Sequence, residues 1–278
     1  MIQSLNHLSQ AIYRQYPAVS QSDLKSCFDD PQLYHQWVTG RRQRPESSDA
    51  QEWGTGLETF LRTGEIKFVP IPDDCLDKNG NRSGSSKAWK AFKAEHQGKL
   101  LLTEREWKDL HADFSEAAQN IQQHDLAREL LHSESATWHQ RFEFDGPYGL
   151  SMKCEMDIFD QDNKRVVDLK TSDSTRERQF VNSIMEYGYD IQAACYLLAA
   201  EMWERSEWAY YWVTVRNKPP FGVEVYEASS EMLNVGLSRL LERIEFYLEC
   251  QASGRWLTPT HGNSIMVYPP KWATSLGV

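Results

Sequence analysis

Two carboxylates and an ammonium in one stretch of the chain could hold a hard cation and a water beside it: Asp157, and the run Asp168-Leu169-Lys170. The segments around them alternate with the period of strands, and Gln161-Asp162-Asn163-Lys164 separates them as a turn. With Asp162-Asn163 at the tip, position 161 faces 164, and counting back sets Asp157 opposite Asp168. Opposed Cβ atoms lie about 4.5–5.5 Å apart, where like charges destabilise a sheet unless something sits between them. A divalent cation is the natural candidate, and carboxylate and carbonyl oxygens suit Mg²⁺ or Mn²⁺. Lys170, two residues beyond Asp168, projects from the same face, where an ammonium can orient or activate a water.

The tripeptide alone is weak evidence, because Asp/Glu-x-Lys occurs five times, at residues 23, 65, 106, 162 and 168. Only the last closes an apolar β run with an acid at the opposing position. The competing reading is an ordinary polar sheet face with a surface ion pair. Two further features favour chemistry. Gln192 and Tyr196 are spaced i and i+4 on one helix face among small residues, so they can contact a phosphate or the attacking water, or else serve as core groups. Gly54-Thr55-Gly56-Leu57-Glu58 offers a third carboxylate from a helix thinned by glycine.

These groups need elements to position them. Residues 20–34 read as helical, starting from a Ser-x-x-Asp cap signal, and a helix from about residue 50 carries Trp53, Leu57, Phe60 and Leu61 before Gly64 closes it. An extended arm at 68–72 and a Gly/Ser loop lead into a basic amphipathic segment, and one helix is expected over 104–131. From residue 140 the period is that of strands, with a hairpin that turns at Asp145-Gly146-Pro147 and keeps one wet face. A long helix over 178–205, strands at 208–215 and 223–228, and a final helix over 230–251 complete an α/β domain with a mixed central sheet. The expected organisation is one domain over 1–278: a mainly helical part (1–140), a catalytic sheet with its helices (141–252) and a tail (253–278).

The chain has 278 residues and a formal charge of -10, which argues against a protein that coats nucleic acid over its whole surface but leaves room for a local basic groove. Three basic clusters could supply one: Arg41, Arg42 and Arg44; Arg82, Lys87, Lys90 and Lys93, the favoured set; and Arg176 with Arg178. The acidic excess is then expected on the outer surface and at the metal site. Five scattered cysteines form no C-x-x-C, so reduced thiols are expected and neither disulfides nor zinc. No apolar run is long enough to span a bilayer and no leader pattern is visible, which places the protein in the cytoplasm, with no membrane partner. The loop at 80–87 lacks a phosphate-loop ending, so no nucleotide site is assigned, and all eight histidines are read as surface or structural. The tryptophans are read as core, with Trp203, Trp208 and Trp212 available to a subunit contact.

The set Gly54-x-x-x-Glu58, Asp157, Asp168-Leu169-Lys170 and Gln192-x-x-x-Tyr196 resembles the PD-(D/E)XK nuclease superfamily in its RecB-like branch, and most closely the exodeoxyribonuclease VIII (RecE-type) nuclease domain. Softer matches run through Ser20-x-Ser22-Asp23-Leu24-Lys25, Asp30-Pro31-x-x-Tyr34, residues 68–72, the loop and basic helix from Asn79 to Glu95, and Gly98-Lys99-x-x-Leu102-Thr103, so the likeness spans about residues 18–250. It implies a restriction-endonuclease-like core, with Asp157, Asp168 and the carbonyl of Leu169 as metal ligands and Lys170 as the catalytic lysine. Glu58 stands where many relatives carry His, and Gln192 and Tyr196 match a motif associated with DNA contact. The four-cysteine pattern of the iron–sulfur relatives is missing.

The resemblance therefore implies a Mg²⁺-dependent exonuclease acting on linear duplex DNA in recombination or phage-related processing. By the same analogy it forms a homo-oligomeric ring and partners a single-strand annealing recombinase. Two alternatives stand beside it: a catalytically silent nucleic-acid or protein-binding module on the same fold, and a PD-(D/E)XK endonuclease.

Overall fold

The computed structural model describes residues 1–45, 48–84, 86–96, 99–258, 264 and 266–268. In chain order the elements are β1 (Ile2–Ser4), α1 (Gln10–Gln15), β2 (Val19–Ser20), α2 (Gln21–Asp29), α3 (Pro31–Val38), α4 (Asp49–Thr63), β3 (Val69–Pro70), α5 (Lys87–Glu95), β4 (Leu101–Leu102), α6 (Glu104–Gln123) and α7 (Asp125–Leu131). There follow β5 (Ala136–Asp145), β6 (Ser151–Asp160), β7 (Arg165–Ser172), α8 (Glu177–Tyr187), α9 (Tyr189–Trp203), β8 (Ala209–Arg216), β9 (Val223–Glu227) and α10 (Ser230–Ser253).

The main sheet runs β1-β5-β6-β7-β8-β9, with β2 also paired to β6. It is mixed and mostly antiparallel: only β2 with β6 and β7 with β8 are parallel. A separate parallel pair, β3 with β4, anchors the extended arm. The α/β class and the mixed central sheet are as expected from the alternation of periods.

Helices cover both faces. On one, Phe142, Met152, Met156 and Trp212 pack with Leu24 of α2, Cys195 of α9 and Ile244 of α10. On the other, Ile158, Val167 and Val213 meet Leu57 of α4, Phe114 of α6 and Leu130 of α7. The expected wet face of the hairpin is therefore corrected. Even Lys153 is buried, its Nζ donating to the carbonyls of Tyr13, Arg14 and Tyr16 at the end of α1. Trp208 and Trp212 are likewise core residues at 5% and 1% exposure, which removes them from any subunit contact, while Trp203 is exposed.

Three expected helices are each divided by a capping residue. Asp30 ends α2 and caps α3 through its carboxylate, His124 accepts the Ala127 N–H to start α7, and Gly188, at φ 73°, separates α8 from α9. Periodicity continues across such joints, so it does not reveal them. The N-terminal β1, with no reading in the sequence, pairs with β5. Helix α10 extends to Ser253, and most of the tail beyond it, His261 included, lies outside the described residues, as does Gly98. All five cysteines are free and buried. Among the described residues no helix is long and apolar enough to cross a membrane.

Close approach of α9 and α10 depends on Gly236, where an added Cβ would overlap the main-chain oxygen of Asp190. Replacing a helical glycine by alanine ordinarily gains about 1 kcal/mol. Here the clash is with backbone and wins, so Gly236→Ala should lower unfolding free energy by about 1–3 kcal/mol in urea titrations.

Candidate active site

The site forms where one strand leaves another. Strand β6 pairs with β5 along one edge. On the opposite edge β2 lies beside Met152 and Lys153, and β7 beside Ile158, Phe159 and Asp160. The β6–β7 register, Ile158 with Val167 and Asp160 with Arg165, is the one counted from the sequence, although the connection is four residues long. One step further, at Asp157 and Asp168, the β6–β7 ladder stops while β7 continues along β8. The Leu169 N–H then donates across the fork to Asp157 Oδ2 at 2.9 Å.

Asp168 is fully buried there. Its Oδ1 accepts from Gln192 Nε2 of α9 at 2.9 Å, and the same amide donates to Tyr196 Oη at 3.0 Å. Lys170 Nζ is 2.5 Å from Asp168 Oδ2 and 4.7 Å from the centre of the Tyr189 ring, yet Oδ2 has no hydrogen bond of good geometry. The structure thus brings together Asp157, Asp168, Lys170, Gln192 and Tyr196. Gln192 and Tyr196 are both buried, so as placed they orient Asp168 and do not face solvent.

Electrostatics follow from this crowding. Burial, then repulsion from Asp168, raises the Asp157 carboxyl well above the ordinary range. Burial raises Asp168 too, against the pull of Lys170. Burial works against the Lys170 ammonium, but Asp168 and Asp157 outweigh it and hold Lys170 above the usual lysine range. With both carboxyls ionised, one ammonium leaves a deficit of positive charge, and among the described residues Asp168 Oδ2 has only the Lys170 ion pair to answer it. A hard divalent cation fits that donor set.

Glu58 is positioned by α4, which reaches β7 because a Cβ at Gly54 would already be 3.0 Å from Thr171 Oγ1. Its carboxylate, however, binds His139 Nε2 at 2.8 Å, and His139 Nδ1 meets Glu155 at 3.2 Å. Glu155 in turn accepts from Arg141 Nε at 2.7 Å. Hydrogen bonds that His139 donates to Glu155 and Glu58 lift it to about 9, so it is an imidazolium at neutral pH. Among the described residues, no three acidic, histidine or cysteine side chains converge tightly enough to hold a metal. Glu58 as placed is thus engaged by His139 and does not join Asp157 and Asp168.

His139 is the residue that sequence reading misses. Counting back from the Asp145–Ser151 turn pairs it with Asp157, and the β5–β6 ladder omits that pair while keeping register on either side. His139 has φ 56°, and the strand faces exchange there: Met156 points into one core and Ile158 into the other. Tyr189, which lies against Lys170, has no comparable signal in the sequence.

The basic clusters are placed separately. Arg82 binds Glu106 at 3.0 Å and the Leu101 carbonyl at 3.1 Å, and lies over Trp89, so its guanidinium is used within the protein. Lys87, Lys90 and Lys93 are exposed on α5, and Arg176 and Arg178 are exposed at the start of α8. From the first cluster, Arg44 pairs with Asp23 at 2.6 Å.

The chain is similar in structure to a candidate exonuclease from Eubacterium rectale, with TM-score 0.61 and 15% identity, covering 98% of this chain and 97% of that one, a likeness of fold. A phage-related exonuclease from Haemophilus somnus 129PT is 12% identical at TM-score 0.35, covering 88% of this chain and 100% of that one. No curated protein matches the sequence. Over residues 82–264 the sequence matches a family described as a PDDEXK-like domain of unknown function (DUF3799), a segment that contains Asp157, Asp168, Lys170, Gln192 and Tyr196 but not Glu58; it spans more than half of the chain, which belongs to that family.

Proposed function

We propose that the protein is a divalent-cation-dependent deoxyribonuclease that shortens linear duplex DNA from its ends, in the manner of RecE-type enzymes, in recombination or phage-related DNA processing. Membership of a PDDEXK-like family and the exonuclease-like fold support a nuclease. The observation that carries the reading is the fork at which Asp157, Asp168 and Lys170 meet, with Gln192 holding Asp168.

Asp157, Asp168 and the carbonyl of Leu169 would hold Mg²⁺ or Mn²⁺, with Glu58 as a further donor when released from His139. The cation, when bound, neutralises phosphate charge and makes water a better nucleophile. Lys170 is an ammonium at neutral pH, so it donates hydrogen bonds and stabilises charge on the phosphate oxygens, and is not a proton acceptor as placed. Gln192 and Tyr196 fix the carboxylate that must not rotate. For the DNA path we assign Lys87, Lys90 and Lys93 of α5 with Arg176 and Arg178, and Arg82 as the residue that braces the loop before α5. A ring around the duplex, with the acidic excess outside it, a recombinase partner and a cytoplasmic location complete the proposal.

Purified protein with Mg²⁺ should shorten linear duplex DNA, and Asp168→Ala or Lys170→Ala should reduce the rate by at least about a hundredfold, of the size found for removal of one electrostatic donor. Unchanged rates in both variants would refute the assignment. Closed circular duplex should stay intact; nicking of circles would make the enzyme an endonuclease.

The raised carboxyl of Asp157 gives a second test, in chelator. A folded-state value above the unfolded one contributes stability at acid pH that is lost as pH rises through it. Asp157→Asn should therefore melt higher than wild type at pH 7.5 without metal. With Mn²⁺ at a hundredfold over its dissociation constant, wild type should gain about 2.7 kcal/mol and the variant little. Equal gains would show that the cation binds elsewhere.

A further inference from the structure

Outside the fork, one charged group stands out. Arg243 of α10 is 7% exposed, and its Nη1 is buried with no hydrogen-bond partner among the described residues. Its guanidinium lies over the Phe28 ring of α2 at 5.5 Å, with Nη1 against Gly188, the joint between α8 and α9. The neighbouring Asp190 is already taken by Arg239, which also donates to the Met185 carbonyl. Arg239 and Lys25 serve that joint, Lys25 Nζ capping the Tyr187 carbonyl at 3.0 Å. Among the described residues Arg243 makes no such bond, and Asp29, Asp190 and Glu242 reach it only through space. Arg216 also has an orphaned Nε, but Asp173 lies beside it and it is only partly buried.

An unpaired guanidinium taken out of water is costly, and guanidinium geometry matches phosphate oxygens. Lys25 shares the junction and interacts with Arg243 through space, as does Arg239. The junction is also joined to the fork. Tyr187, half-exposed, is 5.7 Å ring to ring from Tyr189, which covers Lys170. Lys25 Nζ lies 5.8 Å from the Tyr187 ring. A strand of nucleic acid held at the fork could run along these two rings, which offer stacking faces, towards the cations.

We infer that Arg243 and Lys25, at the junction of α2, α10 and the α8–α9 joint, form an anion subsite that takes a phosphate of the DNA backbone other than the one being cut. This rests on the nuclease reading. The assay, however, is run in chelator, where no cleavage is needed; loss of the nuclease reading would show separately, as wild type that does not cut DNA with Mg²⁺.

The test compares wild type with Arg243→Met and Arg243→Gln. First, melting temperature is followed against sodium phosphate at fixed ionic strength. Arg243→Met alone should melt about 2–4 °C higher, as a desolvated charge is removed. Wild type should show a saturable rise that both variants lack; the general stabilising effect of phosphate is common to all three and cancels. Second, anisotropy of a labelled duplex is measured against salt, where each variant should bind less tightly with a slope of log K on log salt shallower by about 1. Loss of the phosphate effect with an unchanged slope would mean a free phosphate as ligand and overturn the nucleic-acid assignment. If neither variant folds, the wild-type titration decides: absence of a saturable rise overturns the subsite.

Discussion

Repulsion between two carboxyls in a desolvated place is the constraint around which the fold is arranged. At effective interior dielectric, unit charges 4 Å apart interact by about 4 kcal/mol, comparable to a large part of a domain's net stability. A continuous antiparallel ladder would impose that repulsion on an ordinary sheet. The chain ends the β6–β7 ladder one step short, at Ile158 with Val167, and places the Leu169 N–H, Gln192 and Lys170 around the pair. Each of those supports requires its own element. Lys170 is held by β7 continuing beside β8, and Gln192 comes from a helix whose Ala193, Ala194, Ala199 and Ala200 let it lie close to the sheet.

A second acidic pair sits next to the first and is resolved differently. Glu58 and Glu155 flank His139, and Arg141 binds Glu155, so acid and base alternate along the chain of contacts. That chain is neutral on its own. The Asp157–Asp168 pair is not, since Lys170 supplies one charge for two carboxyls. The contrast agrees with the cation proposed at the fork and leaves Glu58, already satisfied by an imidazolium, apart from it as placed. The left-handed backbone of His139 is where this arrangement departs from a regular strand, and such departures persist where surrounding structure over-determines them.

Register was the legible part. A turn and a period of two suffice to set Asp157 against Asp168, since paired positions in a hairpin sum to a constant. The same arithmetic from the other turn reaches His139, but nothing in residue types marks a histidine opposite an aspartate as special. Helix joints were illegible for a related reason: Gly188 and His124 act through capping geometry, whereas the apolar stripe continues on both sides. The hidden second face of the hairpin was illegible because alternating Lys153, Glu155 and Asp157 look solvated. Only the three carbonyls at the end of α1 explain why a lysine can be buried there.

Buried charges can be sorted by what answers them. Lys153 is answered by carbonyls, Asp190 by Arg239, and Glu155 by His139 and Arg141. In each case the partner lies within the chain, so the group contributes to the fold and needs no ligand. Asp168 Oδ2 and Arg243 Nη1 are different: among the described residues neither buried atom has a hydrogen bond of good geometry, although Lys170 Nζ lies 2.5 Å from Oδ2. They carry opposite charge and lie on either side of the segment from Tyr187 to Gln192. A phosphodiester accompanied by a divalent cation has both complements, positive charge for the carboxylate and phosphate oxygens for the guanidinium. A small neutral substrate has neither. A free divalent cation would answer only the fork, and a free anion only the junction. A ligand that answered both at once would be extended and anionic and would bring or meet a cation at one point, which is what the proposed nucleic-acid substrate offers.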